Sequence, residues 1–367
     1  MAYHGDRMTK IGVLADSTIR AMIARGEIGA SQPATEAQIQ PASLDLRLGA
    51  VAYRVRASFL AGKGCKVADR IAEFQMHAVD LTQGAVLEKG CVYVVPLMER
   101  LALPEGVTAV ANAKSSTGRL DLLTRTITDG GVEFDRISAG YHGPLYAEIC
   151  PRSFSVLVRP GMRLNQIRFR QGQAALDDAA LGALHAASPL VTGAALISEG
   201  LGFSVGLRPD KGDLVGYRAK PHAGVIDLDL IDHYAPADFW EEIRTRGGRI
   251  ILDPGAFYIL VSREAVTIPP DYAAEMAPYL AMVGEFRVHY AGFFDPGFGY
   301  GAAGGAGSRG VLEVRCHEAP FVLEDGQVVG RLVYERMQTR PERLYGAGLR
   351  SNYQGQGLKL SKHFRAG

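Results

Sequence analysis

The chain has 367 residues, which is enough for two domains of ordinary size. Its net charge of +1 lacks the basic excess of a nucleic-acid-binding protein, and its sequence contains no apolar run long enough to cross a membrane. The four cysteines stand far apart without a CxxC pair, so neither disulfides nor zinc ligation is expected, and the polar first segment predicts a cytoplasmic protein.

The first predicted element is a short helix over residues 14–26. Asp16 or Ser17 can cap its start, and Ile19 and Met22 lie on one apolar stripe of it.

Between about residues 40 and 170 the chain consists of short apolar runs separated by turn residues. In residues 44–48 leucine alternates with Asp45 and Arg47, which is typical of a strand with one buried face. The 44 glycines and 18 prolines of the chain favour many turns and short strands. We therefore predict an all-β barrel or sandwich, followed by a linker helix in the alanine-rich segment at 174–187.

A cluster of polar residues follows one of these predicted strands. Lys114, Ser115, Ser116 and Arg119 stand within six residues, a combination that suits phosphate oxygens. The stretch is not a P-loop, because it lacks the glycine directly before the lysine. A polar turn between two strands is the simpler alternative for such a segment. Glu148 lies downstream on an apolar strand, where it is either a buried functional carboxylate or an ordinary outward-facing residue.

The second half of the chain repeats the first weakly. Three pairs of positions share an offset of 165 residues, namely Leu87 with Leu252, Leu103 with Ile268, and Glu148 with Glu313. Matches in the same order at the same offset predict a duplicated domain. The expected boundaries are 1–172 for the first domain, 173–190 for the linker, 191–345 for the second domain and 346–367 for a closing tail.

The two copies differ at the polar cluster. The corresponding segment of the second copy, residues 277–285, contains no Ser, Lys or Arg, so we expect the second copy to be degenerate and catalytically silent. It keeps a turn at Asp295-Pro-Gly297.

With these residues assembled, the chain resembles the dCTP deaminase family of the dUTPase-like (β-clip) superfamily. The similar stretches are QPASLDLRLG at 40–49, KSSTGRL at 114–120, GYHGPLYAE at 140–148 with RPGMRLNQ at 159–166, and NYQGQG at 352–357 with LSK at 360–362. The resemblance implies two fused dUTPase-like domains of β-clip or distorted jelly-roll type. Three departures stand out: family members have about half this length, Lys114 replaces the usual Arg, and residues 129–139 are longer than the family's turn ending in Asp-Pro-Gly.

The resemblance also implies roles for the catalytic residues. Glu148 would be the general base, Ser115 would hold the attacking water and Arg119 would lie beside the carboxylate. Lys114 and Ser116 would bind the triphosphate together with Ser115. The other implied substrate-binding residues are Asp135, which we favour over Asp129 and Glu133, then Gln166 at a base or sugar edge, and Tyr353, Gln354 and Gln356 in a lid.

The implied reaction is the zinc-independent hydrolysis of dCTP to dUTP and ammonia, which supplies dUMP and dTTP synthesis. The sequence lacks the His-x-Glu and Pro-Cys-x-x-Cys patterns of zinc-dependent nucleobase deaminases. The resemblance further implies Mg²⁺ bound through the triphosphate, and a homotrimer. Because a ring of three cannot alternate two kinds of domain, symmetry then predicts one ring of first copies and one ring of second copies. A dUTP diphosphatase, a bifunctional enzyme and a non-catalytic nucleotide-binding regulator remain alternatives.

Overall fold

The computed structural model describes residues 11–209, 211–278, 286–289, 292–301, 307–346, 355 and 357–366. It is mainly β, as predicted. The helices are α1 (Asp16–Ala24), α2 (Val67–Phe74), α3 (Ser115–Gly118), α4 (Asp178–Ala187) and α5 (Pro236–Phe239), with a 3-10 turn at Glu36–Gln38. No helix within these ranges is long and apolar enough to cross a membrane.

The first half contains strands β1 to β14. They are β1 (Gly12–Val13), β2 (Ile28–Ala30), β3 (Ile39–Gln40), β4 (Ser43–Arg47), β5 (Val51–Val55), β6 (Gln75–Asp80), β7 (Ala85–Leu87), β8 (Val92–Ala102), β9 (Val107–Ala113), β10 (Leu122–Thr128), β11 (Arg136–Ile137), β12 (His142–Pro151), β13 (Val156–Val158) and β14 (Arg163–Gln171). One sheet has the order β11-β9-β14-β4-β3 and the other has the order β10-β12-β8-β5-β6. Leu44 and Leu46 of the first sheet share a single core with Val95, Ala147 and Ile149 of the second.

The second half contains strands β15 to β26. They are β15 (Leu201–Ser204), β16 (Leu214–Ala219), β17 (Ile226–Asp227), β18 (Trp240–Arg244), β19 (Arg249–Leu252), β20 (Phe257–Val266), β21 (Tyr272–Pro278), β22 (Phe286–His289), β23 (Phe293–Phe294), β24 (Ser308–Cys316), β25 (Phe321–Glu324) and β26 (Val328–Arg336). The order β22-β24-β20-β16 parallels β10-β12-β8-β5 of the first half, and β21-β26-β15 parallels β9-β14-β4.

The strand register repeats at the offset seen in the sequence. Glu148 of β12 pairs with Val94 of β8. Glu313 of β24 pairs with Ile259 of β20, at positions 165 residues further along in both strands. Glu148 and Glu313 therefore occupy equivalent positions in the two halves.

Helix α1 starts differently from the prediction. Ala15 occupies the N-cap position, and no side chain caps the helix there. The Asp16 carboxylate is buried and accepts a hydrogen bond from the Glu342 backbone at 3.0 Å instead. Asp16 therefore bonds to a segment near the end of the second half and does not act as the N-cap of its own helix.

The two halves are joined by buried ion pairs. Arg168 of β14 is fully buried and binds Asp295 at 3.0 Å, and it donates to the Ala274 carbonyl oxygen at 2.9 Å. Arg170 of the same strand binds Glu335 of β26 at 2.6 Å. Because leaving one such charge unpaired in the interior is costly, these contacts fix how the halves pack.

Candidate active site

The polar cluster of the sequence forms a compact turn between two strands. β9 ends at Ala113, and the Lys114 N–H donates to the Leu164 carbonyl oxygen at 2.8 Å, which anchors the start of α3 to β14. After this single turn, the buried Leu120 and Leu122 lead the chain into the core and into β10. We call Lys114, Ser115, Ser116 and Arg119 the cradle.

Positive charge gathers at one side of the cradle. Lys114 forms an ion pair with Asp45 of β4, and Arg163 of β14 lies 3.5 Å from the same carboxylate oxygen. Burial lowers the pKa of Lys362 in the closing tail, and the charges of Lys114 and Arg163 lower it further. Three cations around one carboxylate form a site suited to a polyanion such as a triphosphate.

Arg119 lies at the other side of the cradle, between the two halves of the chain. Its side chain is buried, and its Nη1 donates to the Lys359 carbonyl oxygen at 3.0 Å. Its Nε lies 4.0 Å from Oε1 of Glu313, on β24 of the second half. Glu313 is itself buried, and desolvation raises the pKa of its carboxyl to about 8 against the opposing effect of Arg119.

The described part of the closing tail covers the cradle. The Ser361 hydroxyl donates to the Ser116 carbonyl oxygen at 2.8 Å. His363 is buried beside it, and burial together with Lys362 lowers the pKa of its imidazole to about 4. The predicted lid residues Tyr353, Gln354 and Gln356 lie outside the described residues.

Glu148 belongs to a different cluster. Its Oε1 accepts hydrogen bonds from Nε and Nη2 of Arg125 at 3.1 and 2.5 Å. The Arg125 guanidinium lies over the Phe134 ring, 3.7 Å from its centroid. Among the described residues, Glu148 Oε2 is buried without a hydrogen-bond partner. We call Glu148, Arg125, Phe134 and Asp135 the Glu148 cluster.

Asp135 completes this cluster. Its carboxylate accepts a hydrogen bond from the Thr126 backbone at 2.7 Å, and its own backbone is in the left-handed region at φ 62°. Desolvation raises the pKa of Asp135 to about 7, with Glu148 adding to the rise and Arg125 opposing it. A strained, desolvated acid is typical of functional sites, whether for binding or catalysis.

The two carboxylates that we considered beside Asp135 have other contacts. Asp129 accepts a hydrogen bond from the Val67 backbone at 2.8 Å, and Glu133 is exposed 3.8 Å from Arg136.

Gln166 has a contact within its own sheet. Its amide donates to the Asn112 side chain at 2.9 Å, across β14 and β9. This bond engages one of the donors that reading a nucleotide would require.

The structure thus brings together the cradle, the tail and Glu313, and it places Glu148 with Asp135 and Arg125. Sequence reasoning did not select Glu313, Arg163, Lys362 or Arg125. For Glu313 a signal was present in the sequence: it follows an Asp-Pro-Gly turn, at Asp295-Pro-Gly297. Chemically, the site combines an anion-binding surface with a buried carboxylate able to exchange protons near neutral pH.

Sequence models of two protein-family domains match the two halves of the chain. The model of the 2'-deoxycytidine 5'-triphosphate deaminase (DCD) N-terminal domain matches residues 10–173. The model of the DCD C-terminal domain matches residues 177–364.

Individual proteins that are similar to this chain carry the same name as the family models. The crystal structure of 2'-deoxycytidine 5'-triphosphate deaminase from Agrobacterium tumefaciens is 56% identical, covers 89% of this chain and 99% of its own, and superposes with a TM-score of 0.87. The dUMP-forming dCTP deaminase of Beutenbergia cavernae is 30% identical over 158 residues, which are 43% of this chain and 78% of that protein. The dCTP deaminase of Haloarcula marismortui is 32% identical over 149 residues, or 38% of this chain and 71% of that protein.

Proposed function

Because this chain belongs to the dCTP deaminase family, we propose that it catalyses dCTP + H₂O → dUTP + NH₃ on two dUTPase-like domains of β-clip type. The observation that supports this function most directly is the cradle itself. The cradle supplies Lys114, Arg119 and two serine hydroxyls, and the residues around it add the cations Arg163 and Lys362 and the buried carboxyl of Glu313.

The cationic side of the cradle binds the triphosphate in this proposal. Lys114 exchanges its contact with Asp45 for phosphate oxygens, and Arg163 and Lys362 add charge around them. The hydroxyls of Ser115 and Ser116 supply neutral donors, and Gln166 and Asp135 remain predicted contacts for the base or the sugar.

The chemical step needs one carboxylate as a proton shuttle. Water adds to C4 of cytosine as one of its protons passes to the carboxylate. The C4–N bond then breaks as that proton moves to the departing amino group, which leaves as ammonia, and the remaining hydroxyl proton passes to N3 as the C4=O bond forms. Ser115 orients the water, and Arg119 offsets the negative charge of the carboxylate. Two glutamates at equivalent positions, Glu148 and Glu313, are candidates for this base.

Mg²⁺ is proposed to reach the site with the triphosphate. On the cationic side of the cradle Lys114 already engages the Asp45 carboxylate, so the donor set there fits a phosphate-bound cation better than a cage of protein ligands. Mg²⁺ would supply charge neutralisation of the phosphates. We further propose that zinc is not required, so a chelator that removes zinc and spares Mg²⁺ should leave the rate unchanged.

A bifunctional reaction is the second candidate, since several relatives are named as dUMP-forming dCTP deaminases. Such an enzyme would hydrolyse the triphosphate as well and release pyrophosphate.

The two candidates differ in their products. We would incubate the protein separately with dCTP and with dUTP, and measure ammonia, pyrophosphate and the nucleotides formed. The proposed deaminase releases one ammonia per dCTP and leaves dUTP intact. Formation of dUMP with pyrophosphate would establish the bifunctional reaction, whereas binding of dCTP without any product would indicate a regulator.

A further inference from the structure

We propose that Glu313 of the second half, rather than Glu148 of the first, is the general base that works with the cradle, so that one composite site lies within each chain. This inference rests on the proposed deaminase function. In this assignment the first half supplies the cradle, and the second half supplies the catalytic carboxylate.

Arg119 of the cradle and Glu313 of the second half are buried neighbours. The 4.0 Å between Arg119 Nε and Glu313 Oε1 is close enough for strong attraction in a buried site but too long for a hydrogen bond. The carboxylate is therefore stabilised by a cation without being locked to it. Such an arrangement leaves its oxygen able to accept a proton from water.

Glu148 has the opposite arrangement. Two N–H groups of Arg125 converge on its Oε1, and Arg125 is in turn held by Phe134 and by the Ser58 hydroxyl at 3.0 Å. Charge-assisted bonds of this kind are strong and tie Glu148 to Arg125 through Oε1, whereas Oε2 is buried without a hydrogen-bond partner among the described residues. The described contacts of this cluster include no residue of the cradle.

A second carboxylate of the same half also binds an arginine of the first half. Asp295, in the turn of the second half, is buried against Arg168 of the first half at 3.0 Å. Burial raises the pKa of its carboxyl, and Arg168 opposes this rise. Two separate segments of the second half, at Asp295 and at Glu313, therefore pack against arginines of the first half.

The tail links the same two partners. The Gly355 N–H donates to the Ser308 hydroxyl at 2.8 Å, at the start of the strand that carries Glu313. Four residues later, the Lys359 carbonyl oxygen accepts from Arg119. Gly355 of the closing tail therefore contacts β24, and Lys359 contacts the cradle.

Three variants test which glutamate is the base. We would measure kcat, KM and dCTP binding for Glu313→Gln, Glu148→Gln and Glu99→Gln. Glu99 is the matched control, because it is equally buried and is bound by Arg47 at 2.7 Å outside the site.

We expect Glu313→Gln to lose about 100-fold or more in kcat while keeping dCTP binding within a few-fold, since general-base catalysis contributes about 10²–10⁴. Glu148→Gln and Glu99→Gln should keep kcat within about tenfold and show their cost mainly in thermal stability. Near wild-type turnover of Glu313→Gln, or an equal loss in Glu148→Gln, would overturn the proposal. A wild-type protein that releases no ammonia from dCTP would instead contradict the proposed function.

A complementation experiment tests whether the site lies within one chain. Arg119→Gln and Glu313→Gln chains, carrying different tags, would be co-expressed and purified over both tags. If each site uses Arg119 and Glu313 of one chain, the mixture stays as inactive as the single variants, and a failure to form mixed species supports the same conclusion. Recovery of activity would show that the two residues meet across chains and would overturn the single-chain site.

Discussion

At the scale of single residues, burial of the Glu313 carboxyl makes the stability of the folded protein depend on pH. Its pKa of about 8 lies well above the ordinary value near 4.5, so the folded protein holds a proton there that the unfolded chain releases between these two pH values. The contribution of Glu313 to stability therefore falls as pH rises from about 5 to 8 and is constant above that range.

Replacing Glu313 by Gln should remove this pH-dependent cost. We expect the free energy of unfolding of Glu313→Gln, relative to wild type, to rise by on the order of 3 kcal/mol between pH 5 and pH 9. Urea titrations at both pH values would measure it, and all other titrating groups cancel in the comparison. A difference that stays constant with pH would contradict the raised pKa.

Lys114 should matter for binding more than for chemistry. Replacing it by Met removes a charge from the triphosphate site, and a charge-assisted hydrogen bond is worth about 1.5–3 kcal/mol. We expect KM for dCTP to rise about 10- to 100-fold with a smaller change in kcat. The exposed Lys63 provides the control, since Lys63→Met should leave both constants unchanged.

The composition of the cradle could be predicted from sequence, but its partner could not. Lys114, Ser115, Ser116 and Arg119 are neighbours in the chain, so local pattern was sufficient to group them. The carboxylate beside Arg119 is decided by how the two halves pack. The resemblance favoured Glu148 because residues 140–148 are similar to the family's segment that carries the catalytic glutamate. The Asp295-Pro-Gly297 turn was the available signal for the second half.

At the scale of elements, the tail is held by one aromatic side chain. The Phe364 ring packs against Tyr234, Phe239 and Trp240, with centroid distances of 6.3, 5.5 and 5.8 Å. It is also part of the larger apolar core. This anchor fixes the segment that carries Lys359, Ser361 and Lys362 over the cradle.

Loss of the anchor should release the tail. Phe364→Ala is expected to cost about 3–5 kcal/mol of stability and to lower kcat/KM at temperatures where the rest of the protein stays folded. Phe364→Leu keeps an apolar side chain of similar size and should retain most of the activity. Thermal unfolding and kinetics of both variants would show it, and full activity of a folded Phe364→Ala protein would mean that the tail is dispensable.

Helices could be predicted from the sequence where residues within the helix itself determine it. The helices near residues 14–26 and 174–187 were recognised from apolar spacing and composition, and both are present as α1 and α4. The predicted cap of α1 was wrong, because Asp16 is used by the distant Glu342 backbone. Such a contact between chain ends leaves no periodic trace in the sequence.

At the scale of the whole molecule, assembly into three chains stays a prediction, and it can be separated from activity. Light scattering should give three times 39.4 kDa if the trimer forms. Because the proposed site lies within one chain, we expect the rate per chain to stay constant when the protein is diluted until the assembly dissociates. A rate that falls in step with dissociation would show that a second chain completes the site.

Duplication of a domain gives a chain with two cradles and two catalytic carboxylates. One cradle together with one carboxylate is sufficient for an active site. If Arg119 works with Glu313, the remaining two positions are free of catalytic selection and can drift independently. The absence of Lys, Arg and Ser from residues 277–285 is what such drift would leave behind. In that case neither half, produced as a separate protein, would contain both the cradle and its catalytic carboxylate. The two halves could then not be separated into two genes again without loss of activity.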